Sequence, residues 1–363
     1  MPPEGVSARD GDPTRVLTGA AAAPAGGSVD GMNPPQPAPA RRTRTEPDDR
    51  GTPVRLGPVR RVVSLVPSLT EALACSAPGL LVGATDWCSH PADLDVTRVG
   101  GTKNPDVARI LGLAPDLVLA NEEENRAPDI EALRAAGAAV WVTEVRTVDQ
   151  ALRSLDRMLV TACGLPRPDW LDRAEAAWGD SDASGAGPGP ATAAAVVPIW
   201  RRPWMVLGRD TFAGDVLRRL GVRNVYADHA DRYPAIPLER LRDAGADLVV
   251  LPDEPYRFTA TDGPEAFPGL PAALLSGRHL TWYGPSMAEA RTVLAAQLRR
   301  PGRQPAAGGS AGVDPPVVGR QPSLVVQDVE GERGRRTEVD VVLRVGAALP
   351  GEPERGDDPG GDQ

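Results

Sequence analysis

Lysine is almost missing from this chain of 363 residues: Lys103 is the only one, and the rest of the positive charge is arginine. The formal charge is −9, the pI is about 5.1, and no basic cluster offers the counterion-releasing face of a nucleic-acid binder. Cysteine is scarce too. Cys75, Cys88 and Cys163 lie too far apart for a disulfide framework or a zinc motif, which points to a reducing compartment. The histidines are His90, His229 and His279, and no spacing makes them a ligand set. No stretch approaches the roughly 20 apolar residues of a membrane span. Hydrolase, P-loop and dinucleotide fingerprints (G-x-S-x-G, Walker and G-x-G-x-x-G) are all missing. Met1–Asp30 has no basic start and no apolar run longer than Ala20–Ala23, so no signal peptide is read and a cytoplasmic location is expected.

What the chain does contain is an ordered middle between two Gly/Pro-rich ends. Residues 1–57 lack apolar periodicity and are expected to be disordered, as is most of 301–363. One island breaks the second tail: S-L-V-V-Q-D-V-E and E-V-D-V-V-L-R-V flank a Gly-containing turn, which predicts a hairpin within 322–346. The middle is organised around R-V-V-S-L-V-P-S-L-T, Arg61–Thr70. A short β-branched strand stops at Pro67, and Ser68 or Thr70 is positioned to cap a following helix. Loop, helix and strand then alternate, which predicts parallel strands in an α/β lobe over 58–146. Val148, Leu152, Leu155 and Leu159 recur at helical spacing and predict a linking helix over 147–178. A flexible loop over 179–193 leads to a second α/β lobe over 194–300. R-I-L-G-L-A-P-D-L-V-L-A-N-E-E (Arg109–Glu123) aligns without gaps to R-L-R-D-A-G-A-D-L-V-V-L-P-D-E (Arg240–Glu254), pairing Asp116 with Asp247 and Glu123 with Glu254. The fold expected is therefore α/β: two Rossmann-like lobes with mainly parallel sheets, joined by a single long helix.

Chemistry should collect outside the carboxyl ends of such strands. The loops there are Pro67–Thr70, Asp86–Pro91 and Gly100–Pro105 in the first half, with Trp200–Trp204, Arg209–Phe212 and Trp282–Gly284 in the second. Five tryptophans (Trp87, Trp141, Trp200, Trp204 and Trp282) fall at or near strand ends, which suits a broad, flat, partly apolar ligand or a core plug between lobes. Cys88 and His90 alternate in one loop and face one side if it is extended. His90 is the candidate for a single axial contact to a ligand-borne metal. Glu122–Glu124 reads as a solvated or partner-docking acidic tip in preference to a catalytic carboxylate pair.

Taken together, R-V-V-S-L-V-P-S-L-T-E, V-G-A-T-D-W-C-S-H-P, V-G-G-T-K-N-P, P-D-L-V-L-A-N-E-E-E-N and L-T-W-Y-G resemble the helical-backbone metal receptors, the class III periplasmic binding proteins. The resemblance spans about Val59 to Leu298 and is strongest in the first lobe. It implies a ligand held in the cleft between lobes, little lobe motion, no catalysis and no intrinsic cofactor. The implied ligand is cobalamin or a related metal chelate. The cleft expected for such a ligand uses Ser68, Trp87, His90, Lys103, Trp200, Trp204, Arg209 and Trp282, with aromatic faces over the macrocycle and Ser68, Lys103 and Arg209 at its polar rim. The resemblance also implies an ABC permease as partner, docked through Glu123 and Glu254. Three functions are carried forward: a monomeric cytoplasmic chelate binder, an exported receptor feeding an ABC importer, and an acidic interaction protein with a vestigial cleft.

Overall fold

The computed structural model describes residues 43–179 and 192–299, together with two further strands at 323–326 and 341–344. The expectations for 1–42, for the loop 180–191 and for most of 301–363 lie outside the described residues.

Order begins earlier than the sequence suggests. β1 (Arg44–Pro47) and β2 (Pro53–Leu56) form an antiparallel hairpin, pairing Arg44 with Leu56. Its turn is made by Asp48, whose Oδ1 accepts from the Arg50 and Thr52 N–H groups at 3.0 and 2.8 Å, and by Gly51 at φ +76°. Val54 and Leu56 alternate into the core. Asp49 reaches Arg157 at 2.5 Å and Asp48 reaches Arg134 at 2.8 Å, so the hairpin is tied down by ion pairs as well. The disordered tail expected over 1–57 is thus corrected for 43–57. A two-residue period between prolines is too short to register against a Pro-rich background.

The first lobe proper is β3 (Val62–Ser64), α1 (Pro67–Ser76), β4 (Leu81–Ala84), β5 (Thr97–Arg98), α2 (Val107–Gly112), β6 (Leu117–Asn121), α3 (Ala127–Ala135) and β7 (Val140–Thr143). Its five strands are parallel and run in the order β5-β4-β3-β6-β7. Neither Ser68 nor Thr70 caps α1. Val66 is the cap residue, and its apolar side chain makes no cap bond; Pro67 in the first turn pre-sets the helical φ instead. Asp106 does cap α2, accepting from the Arg109 N–H at 2.9 Å.

Thr147 caps α4 (Val148–Asp156), which passes without a break into a turn of i→i+5 bonding at Arg157–Ala162. Gly164 to Pro168 then ends the run, and α5 (Asp169–Gly179) is a second helix. The connection over 147–178 is therefore two helices packed together instead of one rod. The prolines win over the continuing amphipathic pattern.

The second lobe contains β8 (Ala193–Val196), the antiparallel pair β9 (Pro198–Arg201) and β10 (Trp204–Val206), and α6 (Phe212–Arg219), capped by Thr211. It continues with β11 (Val222–Asn224), α7 (Leu238–Arg242), β12 (Leu248–Pro252), β13 (Ala272–Leu275), α8 (Gly277–Thr281) and α9 (Met287–Leu298). The parallel strands run β11-β8-β12-β13. α9 returns to pack on α5, and one apolar cluster runs through Leu69, Leu155, Trp178, Val216 and Leu294. The two lobes share that core without a dividing seam, which resists large hinge motion. Farther along, β14 (Ser323–Val326) pairs antiparallel with β15 (Val341–Arg344), Ser323 opposite Arg344.

Candidate functional site

Both sheets reverse their strand order beside their first strand, between β3 and β6 and between β8 and β12. The carboxyl ends at these switch points are where open α/β sheets form a ligand crevice. In the first lobe the crevice is shaped by N-E-E-E-N, Asn121–Asn125. Its two asparagines are buried and tie the loop from both ends. Asn121 Oδ1 accepts from the Glu123 and Glu124 N–H groups at 2.9 and 3.1 Å, while its Nδ2 donates to the Thr143 carbonyl at 2.9 Å. Asn125 Oδ1 accepts from the Asn121 N–H at 2.9 Å, and its Nδ2 donates to the Thr102 carbonyl at 2.9 Å. With the backbone so fixed, the three glutamates are held in set directions. Lys103 adds a bond from Nζ to the Glu123 carbonyl at 2.6 Å.

These glutamates do not form a solvated outward tip. Glu123 points across to the second lobe, where Arg232 donates from Nη2 at 2.7 Å and the Tyr233 hydroxyl donates to Oε1. Glu122 lies 3.5 Å from Arg232 and 3.8 Å from Arg146. Burial, opposed by Arg232 and reinforced by the neighbouring glutamates, pushes the Glu123 carboxyl up to about 7. Glu124 is raised by burial as well, against the field of Lys103. The outward, partner-docking roles expected of Glu123 and Glu254 do not match this geometry. Glu254 is also raised by burial, and it accepts from the Trp282 side chain.

The second lobe reaches back through the segment between α8 and α9. Trp282 meets His90 edge-on, with ring centroids 5.3 Å apart and planes at 86°. His90 Nδ1 is 3.1 Å from Ser89 Oγ. Tyr283 is buried in the first-lobe crevice with its hydroxyl directed at Ser68 and Thr143. Its acidity is suppressed by burial and by the charges of Glu124 and Glu123. Gly284 eases the close contact at this point, since a Cβ there would lie a tight 3.2 Å from the Ser68 carbonyl. Behind it, the half-buried Arg278 pairs with the buried Glu71 across the lobes.

The structure therefore brings together Ser68, His90, Lys103, Trp282, Glu123 and Glu254 along the junction of the lobes. Trp87 is 39 % exposed on the first lobe, with its indole nitrogen against Gly101. Trp200 and Trp204 lie elsewhere. Trp200 is 7 % exposed and packs edge-on against Tyr256, and Trp204 stacks on Phe258 and meets Phe267 edge-on. Trp204 also lines a shallow pocket of about 450 Å³ with Arg201, Arg202, Pro203 and Ala235–Pro237, all from the second lobe. The single aromatic wall expected from the tryptophans is thus divided, because the β9–β10 hairpin folds its indoles inward. Trp141 is core within β7. Arg209 is exposed beside Asp210, at 3.6 Å. Cys88 is fully buried against the Thr70 and Thr85 hydroxyls, so it does not share a face with His90. Among the described residues no cluster of three or more His, Cys, Asp or Glu could hold a metal ion.

Sequence reading missed Asn121, Asn125, Glu71, Arg146, Arg232, Tyr233, Arg278 and Tyr283. Tyr283 and Glu71 stood inside singled-out motifs, next to the residues chosen. Arg232 and Arg278 had no signal, since an arginine-rich chain hides the few that matter.

Residues 62–265, more than half of the chain, match the periplasmic binding protein family, and the chain belongs to that family. Among curated proteins, the vitamin B12-binding protein of Pectobacterium carotovorum is 24 % identical over 207 residues, covering 55 % of this chain and 74 % of that protein. Among solved structures, the periplasmic vitamin B12-binding protein of Vibrio cholerae superposes with a TM-score of 0.53 at 18 % identity, covering 67 % of this chain and 97 % of the other. A periplasmic haem-binding protein of Pseudomonas aeruginosa gives 0.53 at 22 %, covering 68 % and 95 %. These likenesses agree on two α/β lobes. They also overturn the cytoplasmic placement expected from the N-terminal sequence, because the family and the neighbours are periplasmic proteins. Family members are substrate-binding proteins, not enzymes. Among the described residues no helix is long and apolar enough to cross a membrane.

Proposed function

We propose that this protein binds a metal chelate, a corrinoid or a related macrocycle, between its lobes and presents it unchanged to an ABC permease, acting as a monomer outside the cytoplasm. The observation that carries this reading is the meeting of the two crevices. The fixed Glu122–Glu124 loop and His90 of one lobe face Arg232, Tyr233, Trp282 and Tyr283 of the other, at the strand ends where open α/β sheets take their ligands. Ser68, Lys103 and Trp282 are assigned to the ligand, with Trp87 as an outer face and His90 as the axial contact to a ligand-borne metal. Trp204 and Arg209 are assigned to its periphery, and Trp200 supports the second-lobe wall. The relatives' names, vitamin B12-binding and haem-binding, supply the ligand class.

The test is a titration of the purified protein with cyanocobalamin, cobinamide and haem, read by visible absorption and calorimetry. Saturable binding with a shifted visible band supports the reading, and His90→Ala should change the band position of the bound chelate. No heat and no band shift with any of the three rejects it.

A further inference from the structure

The two main sheets end differently at the strand beyond the switch point. In the first lobe that edge strand is β7, and its outward carbonyls are taken. Val142 accepts from the Asp49 N–H at 3.1 Å, in the turn of the β1–β2 hairpin, and Val140 accepts from Arg134 Nη2 at 3.3 Å. The equivalent edge of the second lobe is β13. The Val249 N–H donates to the Pro271 carbonyl and the Asp253 N–H to the Leu275 carbonyl, so Pro271, Ala273 and Leu275 face β12. The N–H and C=O groups of Ala272 and Leu274 therefore point away from the sheet. Among the described residues no hydrogen bond reaches them, and the Leu274 side chain is 39 % exposed. An open edge carrying an exposed leucine is a template for a further strand.

Such a strand lies farther along the same chain. Among the described residues β14 and β15 pair only with each other, and a two-stranded hairpin is marginal in water by itself. Their sequences, S-L-V-V and V-V-L-R, match β13 in length and run apolar without alternation, the composition of strands covered on both faces. The tether fits as well. α9 packs against β13, and Gln297 near its end accepts from the Ser276 N–H at 3.0 Å, so the chain leaves the lobe beside the carboxyl end of β13. Residues 300–322 then reach up to roughly 75 Å when extended. A tether of this kind holds its own hairpin at an effective concentration on the order of 1 mM, which favours it over a second copy of the chain. We propose that the β14–β15 hairpin adds to the free edge of β13 in its own chain, covering Leu274 much as the β1–β2 hairpin closes the edge of β7. Docking at this edge is independent of what the cleft binds.

The test is hydrogen exchange, resolved to single amides, on the full chain, on Leu274→Pro and on the double change Val325→Asp with Val342→Asp. Leu274→Pro removes an outward N–H, which an edge strand tolerates, while the double change spoils the apolar run of the hairpin and leaves the lobe untouched. The Leu274 amide should exchange at least tenfold more slowly in the parent than in the double variant. The amides of β14 or β15 should exchange at least tenfold faster in Leu274→Pro than in the parent. A Leu274 amide with the same rate in parent and double variant overturns the inference, and so does a hairpin indifferent to Leu274→Pro. Light scattering separates the occupants: protection that grows with protein concentration alongside a dimeric mass assigns the edge to a second copy and also overturns it. Should Leu274→Pro expose the amides of β12 as well, the Leu274 amide in the double variant decides alone.

Discussion

The two lobes are built on one plan and finished differently. Each places its first strand in the middle, one or two strands on one side and two on the other. Each also locks the strand across the switch point, β6 or β12, to its first strand by the same aspartate device. Asp116 donates its N–H to the Arg61 carbonyl at 2.8 Å and accepts from the Arg60 and Arg61 N–H groups at 2.8 and 2.9 Å. Asp247 donates to the Ala194 carbonyl at 2.8 Å and accepts from the Ala194 N–H at 2.7 Å. Two residues before each aspartate the backbone turns left-handed, at Ala114 (φ +45°) and Gly245 (φ +67°). The dressing differs. Where β3 runs straight into α1 through Pro67, β8 is followed by the β9–β10 hairpin, and the space is filled by Trp200 and Trp204. One crevice is thus a hydrogen-bonded acidic loop, and the other is aromatic and supplies the arginines that cross over. A repeated scaffold sets where the crevices lie, and the unrepeated loops set what they can hold.

The largest expected effect comes from cutting the tie between lobes. Arg278→Ala leaves Glu71 buried without its cation and should cost about 3–5 kcal/mol in denaturant unfolding, whereas Arg278→Met with Glu71→Gln should recover much of it. A loss under about 1 kcal/mol for the single change would mean that the pair is solvated. Next comes pH. Glu123 is raised from 4.5 to about 7, so the folded state holds a proton that the unfolded chain releases. Its contribution is full below pH 4.5 and is lost as pH rises through about 7, on the order of 3 kcal/mol at most. Glu124 and Glu254 act in the same direction, so the contribution of Glu123 is read as the difference in slope between the parent and Glu123→Gln. Equal slopes would sink the assignment. Gly208→Ala should cost about 1–3 kcal/mol, because the new Cβ would lie 2.0 Å from the Asp231 carbonyl oxygen. The smallest effect tests the repeat itself. Ala114→Gly should stabilise and Gly245→Ala destabilise, each by about 1 kcal/mol, since both positions are left-handed and Gly245 has open space around it. The same sign for both changes would break the equivalence of the lobes.

The scaffold was readable because it is periodic. The Arg61–Thr70 strand and helix and the Arg109–Glu123 match to Arg240–Glu254 each follow from local pattern. The hairpin at 44–56 was not readable, since its stability comes from Val54, Leu56 and ion pairs to residues about a hundred positions away. The site was half readable. Motif position picked out Ser68, His90, Lys103 and Trp282, while the direction of the Glu123 side chain depends on Arg232 and Tyr233, which are brought opposite only by the fold. Trp200 shows the converse, where residue type suggested a ligand face and packing against Tyr256 buried it. The location was misjudged for a different reason, since family membership carries information that composition does not.

Lys103 offers a last consequence. As the sole lysine it is the chain's only side-chain amine, and its Nζ lies at the junction of the lobes, bonded to the Glu123 carbonyl. Amine-directed reagents therefore have one internal address, and the rate at which they modify it should report occupancy of the cleft. Bound guest would slow that acylation, giving a footprint of loading that requires no engineered label.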